Sequence, residues 1–230
     1  MKTPNSLSLA KKSSLYAGGY PFNIFAGFPH FASRLANLAK KLFLRPVLIA
    51  AIISEGLLVV LSAALIGILN LEIKWNSSSS ALTYGLLATV PLLLLNVLLW
   101  RASELRPESI YSRFSKEVVI PLCQVVTIPT AIVIAILSGV CEELFFRGAL
   151  NAAITRYAGS LIACLITSLA FAAVHFIGSF KRYGKMIPLY TAVGGYFWIV
   201  NYCTGSLAAV AILHGVYNFI VILTVKRFAK

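Results

Sequence analysis

VVIPLCQVVTIPTAIVIAIL, from Val118 to Leu137, contains no charged residue, and GVCEELFFRGALNAAITRYA, from Gly139 to Ala158, follows it with Glu142, Glu143, Arg147, Asn151 and Arg156. The first stretch has the length a helix needs to cross the hydrocarbon of a bilayer. The second is equally compatible with a helix but too polar to face lipid, so it must be buried among other helices or line a cavity. Together they describe a membrane bundle with a polar interior.

Working outward, further apolar runs occur at Pro46–Leu69, Ala81–Trp100, Ser160–Phe176, Ile187–Tyr202 and Leu207–Val225. Lone strands would leave backbone groups unpaired in lipid, so these runs read as helices. The expected fold is an all-α polytopic bundle of about six transmembrane helices, possibly up to eight. The 230-residue chain is 59% hydrophobic and only 12% charged, with a mean hydropathy of +0.87. No soluble domain of this size can bury that much apolar surface. The composition excludes a cytosolic globule, a disordered chain and a nucleic-acid-binding domain, although the net charge is +13.

The charge instead marks loops. Bases cluster in the N-terminal arm, in 101–117 (Arg101, Arg106, Arg113, Lys116), in Lys181, Arg182 and Lys185, and at Lys226, Arg227 and Lys230. With six crossings all four regions lie on one side, which the positive-inside rule makes cytoplasmic. Three regions follow: a basic arm (1–45), N-terminal transmembrane helices (46–117) and a membrane core that carries the polar segment (118–230). The acid-free arm reads as a cytoplasmic or interfacial segment with Leu35, Leu38, Leu42 and Phe43 on an amphipathic face, or as a transit-like peptide. Cys123, Cys141, Cys164 and Cys203 show no CxxC spacing and read as reduced apolar residues. His30, in the arm, is given no role.

The other two histidines, His175 and His214, lie inside apolar runs, and an ionisable group there is a functional candidate by default. Glu143 and Arg147 are four residues apart and can pair on one helix face. Glu142, turned about 100° away, has no such partner and is free to act as a general base. His214 and Asn218 also share a face. In an antiparallel pair turning at Ala158–Gly159, Glu142 and His175 stand level, roughly 24 Å from the turn. That placement conflicts with reading Val118–Leu137 as the start of the same straight crossing. Either the chain bends at Ser138–Gly139, or the run is a separate crossing and the count rises to seven or eight.

The ordered triple Glu142-Glu143-Leu-Phe-Phe-Arg147, Phe171-Ala-Ala-Val-His175 and His214-Gly-Val-Tyr-Asn218 resembles the EExxxR, FxxxH and HxxxN motifs of the CPBP (CAAX protease and bacteriocin-processing, Abi) family of intramembrane proteases. The resemblance covers roughly residues 118 to 225. It implies an endopeptidase hydrolysing a peptide bond in a membrane-anchored substrate, such as a CAAX-type prenylated protein or a leader peptide. It further implies that Glu142 activates water with help from His175, and that His214 and Asn218 stabilise the oxyanion. Glu143, Arg147 and Phe171 have supporting places. A divalent metal such as zinc, held by Glu142, His175 and His214, stays open beside a metal-free glutamate mechanism.

Two other classes compete: a non-enzymatic bacteriocin-immunity or scaffold protein using the cluster structurally, and a carrier using Glu55, Glu142 and the histidines as a relay. No inverted repeat supports the carrier, and Glu55 reads as an interfacial residue. The partners implied are the lipid bilayer and a membrane-anchored peptide or prenylated protein. A prokaryotic plasma membrane is the expected location, with a thylakoid or organellar membrane as the alternative.

Overall fold

The computed structural model describes residues 29–228, with side chains from Leu48 onward. The chain divides into Met1–Phe43 and Leu44–Lys230, and the bundle is the second of these. α1 (Pro29–Leu69) begins within the basic arm. The amphipathic face expected at Leu35, Leu38, Leu42 and Phe43, and the side chain of His30, lie outside the described residues. No strand occurs among the described residues, as the apolar runs require.

From Leu48 on, α1 turns Ile52, Ile53, Leu57, Val60 and Ile68 outward while Glu55 and Ser62 are buried. α2 (Ser79–Leu105) is started by Ser78, whose hydroxyl accepts from the Ala81 N–H, and it contains Pro91 without ending. Three short pieces follow: α3 (Ile110–Phe114), a π-helical turn at Ser115–Val119 and α4 (Ile120–Val125). At Val126 the backbone becomes extended. Thr127 then caps α5 (Ile128–Leu137), with Pro129 in its first turn, where a missing N–H breaks no helical hydrogen bond.

This restart removes the conflict posed by Val118–Leu137, which is not one span. The helix that begins at Ile128 continues through π-helical turns at Ser138–Glu142 and Leu144–Leu150 into α6 (Asn151–Ala158). Ile128–Ala158 is a single candidate span of 31 residues. The polar segment is therefore the second half of a crossing, with Glu142 and Glu143 near its middle.

Gly159, at φ +84°, makes the reversal into α7 (Ser160–Val174), a conformation that side-chain-bearing residues rarely adopt. Beyond α7 come the short α8 (Phe180–Tyr183), α9 (Ile187–Thr204) and α10 (Leu207–Phe228). Leu48–Leu69, Ser79–Leu105, Ile128–Ala158 and Leu207–Phe228 are each long and apolar enough to cross a membrane. Ser160–Val174 with Ile177–Thr204 qualifies as a bent pair.

Hydrogen bonds sort the helix ends onto two faces. On one, Arg156 donates to the Leu69 carbonyl, the Leu207 N–H to Lys74 O, and the Ser206 hydroxyl to Asn76 O. On the other, Lys226 Nζ donates to Gln124 O and Val126 O, and Glu117 takes Tyr183 and Arg182. Phe114 joins this second face to Phe176 and Tyr190 through edge-on ring contacts. α7 starts and α9 ends near the first of these faces, and counting the bent pair as one span the described residues hold at most five candidate spans, fewer than the six expected. Arg101, Arg106, Arg113, Lys116, Lys181, Arg182, Lys185, Lys226 and Arg227 belong to the Glu117 face; Lys74 and Arg156 lie opposite. At about 1.5 Å per residue, α7 is shorter than the roughly 30 Å hydrocarbon core, so its C-terminal end stops inside.

Candidate active site

α10 approaches the π-wound part of the third span so closely that a Cβ on Gly139 would stand 2.6 Å from Ala211 O and 2.9 Å from Gly215 N. Small residues at such a crossing let polar groups on two backbones meet inside a membrane protein. π-helical turns within α-helices are common at functional sites, and here two of them carry Glu142, Glu143 and Arg147.

Glu143 and Arg147 are fully buried and paired at 3.3 Å. The same Glu143 oxygen accepts from His214 Nδ1 at 2.8 Å. Arg147 also donates to Gly194 O at 2.9 Å, and its guanidinium lies 4.4 Å from the centre of the Phe171 ring and 5.1 Å from that of Phe197. Phe197 also packs against the His214 ring, at 4.8 Å. Four elements are thereby locked around one carboxylate, and these aromatics belong to a core with Leu92, Phe146, Leu207 and Leu213. Asn151 and Arg156 are likewise accounted for: Asn151 Oδ1 accepts from the Trp198 indole at 2.8 Å, and Arg156 reaches the Leu69 carbonyl.

Glu142 has no cation of its own. Its buried Oε2, like Glu143 Oε2 and Arg147 Nε, has no hydrogen-bond partner, and it stands 3.9 Å from His175 Nε2. This is too long for a hydrogen bond but close enough for one water to touch both atoms. His175 Nδ1 lies 2.7 Å from Phe171 O, and because a carbonyl only accepts, Nδ1 carries the proton. The Nε2 of a neutral His175 therefore offers its lone pair toward Glu142. The ring is held between Phe171 at 4.7 Å and Tyr190 at 5.1 Å. The His175 side chain keeps 30% of its exposure and Glu142 keeps 12%.

Asn218, one turn beyond His214, donates to Ser138 Oγ at 2.8 Å. The structure thus brings Glu142, Glu143, Arg147, Phe171, His175 and His214 into one cluster and places Asn218 on its Ser138 side. Sequence reasoning missed Ser138, Gly194, Tyr190 and Phe197, none of which stands out from its apolar run. Glu55 is buried on α1, 9% exposed, and its Oε2 has no hydrogen-bond partner. Its signal was visible as the lone acid of the first span. Among the described residues no three His, Cys, Asp or Glu side chains group closely enough to hold a metal ion. Glu142, His175 and His214 do not form such a group.

Residues 124–220 match the family described as type II CAAX prenyl endopeptidase Rce1-like. This segment is similar to the Rce1-like family. It contains every residue of the three motifs and agrees with the resemblance carried by them. No curated protein and no solved structure matches the chain. The chain is an integral, multi-pass membrane protein, and its similarity to an intramembrane protease family runs from the third crossing to the middle of α10.

Proposed function

We propose that the protein is an intramembrane endopeptidase in which Glu142 activates water against a peptide bond of a membrane-anchored substrate. The observation that carries this reading is the unpartnered, buried Glu142 oxygen facing His175 Nε2 across 3.9 Å. A carboxylate and an imidazole lone pair around one water are suited to general-base catalysis. Glu142 takes a proton from water as the oxygen adds to the carbonyl carbon. The tetrahedral oxyanion then collapses, the C–N bond breaks, and the proton held by Glu142 passes to the leaving nitrogen. Atoms and charge balance without any other reactant.

The second amide hydrogen of Asn218 is a donor available for the oxyanion, the first being engaged by Ser138, and His214 Nε2 joins it when the ring, whose Nδ1–H is held by Glu143, is doubly protonated. Donors fixed before the charge develops stabilise it by several kcal/mol, roughly 2.7–4 for one donor. Glu143 and Arg147 orient His214 and do not touch the reacting atoms. We assign the substrate to prenylated CAAX-type proteins on the strength of the family, and the Glu117 face to the cytoplasm on its excess of Lys and Arg.

The test is cleavage of a panel of membrane-anchored peptides, including a farnesylated CAAX peptide, by purified protein in liposomes. Wild type should cut at least one, and Glu142→Gln and His175→Ala should fail while remaining folded. Full biological activity of both variants in the native cell would mean that the cluster holds a scaffold together. Rigorous chelation should leave the rate unchanged; a loss restored by zinc would overturn the metal-free assignment.

A further inference from the structure

Ser138 lies one helical turn before Glu142 and outside the three motifs. We propose that it is a positioning residue for the same reaction: its hydroxyl holds the Asn218 carboxamide by one N–H, so that the second N–H is presented to the developing oxyanion. The inference rests on the reading of Asn218 as an oxyanion donor.

The contact is a product of the helix crossing. Serine and asparagine side chains are short, and across two helices they meet only where the backbones come close. Gly139 and Gly215 supply that approach, since a Cβ on Gly139 would stand 2.9 Å from Gly215 N and one on Gly215 would stand 2.9 Å from Ala135 O. Ser138 precedes the first of these glycines, and Asn218 follows the second by nearly one helical turn. Asn218 Nδ2 donates to Ser138 Oγ at 2.8 Å, a short and well-formed hydrogen bond. Ser138 is buried and Asn218 half-buried, so water competes poorly for the bond while one side of the amide stays accessible.

The serine also decides which end of the amide it receives. A hydroxyl carries a single hydrogen, and Ala135 O accepts it at 3.4 Å, the local backbone bond that a helical serine commonly makes. Toward Asn218 the same oxygen is then an acceptor only. It takes the amide nitrogen and repels the amide oxygen, whose lone pairs would face its own. The last torsion of an asparagine otherwise turns between two broad settings, and one of them puts a carbonyl oxygen where a developing negative charge needs a donor. Fixing the group beforehand makes the donor effective, because no reorganisation is left to the reaction itself.

Ser138 begins the π-helical turn that ends on Glu142. The turn that carries the base at one end therefore orients the oxyanion donor at the other, and both sides of the reacting carbonyl are referred to one short piece of backbone.

The experiment is a double-substitution cycle on the farnesylated CAAX peptide in liposomes, comparing wild type, Ser138→Ala, Asn218→Ala and the double variant. Asn218→Ala should lose kcat on the order of 100-fold. Ser138→Ala should lose kcat by up to about tenfold, the worth of one neutral hydrogen bond, with KM unchanged. In the Asn218→Ala background it should cost nothing further, because the group it positions is gone. An equal loss in both backgrounds would make the serine a residue of the fold alone and overturn the proposal, as would a Ser138→Ala protein as active as wild type. Full activity of Asn218→Ala would overturn the oxyanion reading itself, and the proposal with it. Should Ser138→Ala fail to fold or no peptide be cut, the side-chain amide signals of wild type carrying isotope-labelled asparagine decide, the Asn218 signal being the one missing from Asn218→Ala. One amide hydrogen protected from exchange with water and one unprotected supports the proposal; two hydrogens that exchange alike overturn it.

Discussion

Glu142 and Glu143 are neighbours in sequence on one π-wound stretch, yet their surroundings are opposite. Glu143 is sealed, sharing one oxygen between Arg147 and His214 and walled by Phe171 and Phe197. Glu142 has no arginine on it and turns a buried oxygen toward an imidazole 3.9 Å away. A buried carboxylate tied through one oxygen to an arginine and an imidazole cannot take up a proton there without breaking that network, whereas one with no cation bound can. The same residue type one position apart thus serves the bundle in one case and chemistry in the other.

The contrast can be broken most sharply by Glu142→Gln. It should abolish cleavage by on the order of 100- to 10,000-fold with little change in thermal unfolding in detergent; an equal loss of folding would erase the distinction between the two glutamates. Arg147→Ala should show the reverse character, leaving Glu143 buried and unpaired at a cost of about 3–5 kcal/mol of stability, read as loss of folded protein. Gly139→Val, which drives a side chain into Ala211 O and Gly215 N, should separate α10 from the third span and weaken the Glu143–His214 contact, seen as lower activity and a lower unfolding temperature.

Sidedness gives a smaller effect. Cys203 is exposed near the Leu69 face while Cys123 and Cys141 are buried, and burial pushes the Cys123 thiol up to about 11. A membrane-impermeant maleimide should label Cys203 only from the side opposite the Lys- and Arg-rich face, and labelling from both sides would contradict the assigned orientation.

The smallest effect is expected at Glu117. The Tyr183 hydroxyl, and then Arg182 and Arg113, hold its carboxyl below the usual range against opposing desolvation. A lowered carboxylate contributes stability above its unfolded value, near 4.3, and loses it as pH falls through the folded value. Hydrogen exchange in residues 177–186 should therefore rise on acidification through that range, and Glu117→Gln should remove the response.

Much of this was legible beforehand because hydrophobicity and helical spacing are local properties. The pairing of Glu143 with Arg147 follows from a four-residue interval, and the level placement of Glu142 and His175 follows from equal distances to Gly159. The break at Val126–Thr127 was not legible: Thr127 and Pro129 are ordinary residues within an apolar run, and only their capping geometry restarts the helix there. Ser138, Tyr190 and Phe197 were equally silent, because their roles come from neighbours far along the chain.

The sequence by itself determined that the chain lives in a membrane, that it is helical, and which motif residues are too polar to face lipid, since each follows from transfer energetics and periodicity. Only the tertiary structure decided which glutamate is tied to Arg147 and His214 and which faces His175. Those outcomes depend on the close crossing of α10 at Gly139 and Gly215 and on which side chains converge there, and long-range convergence leaves no local trace.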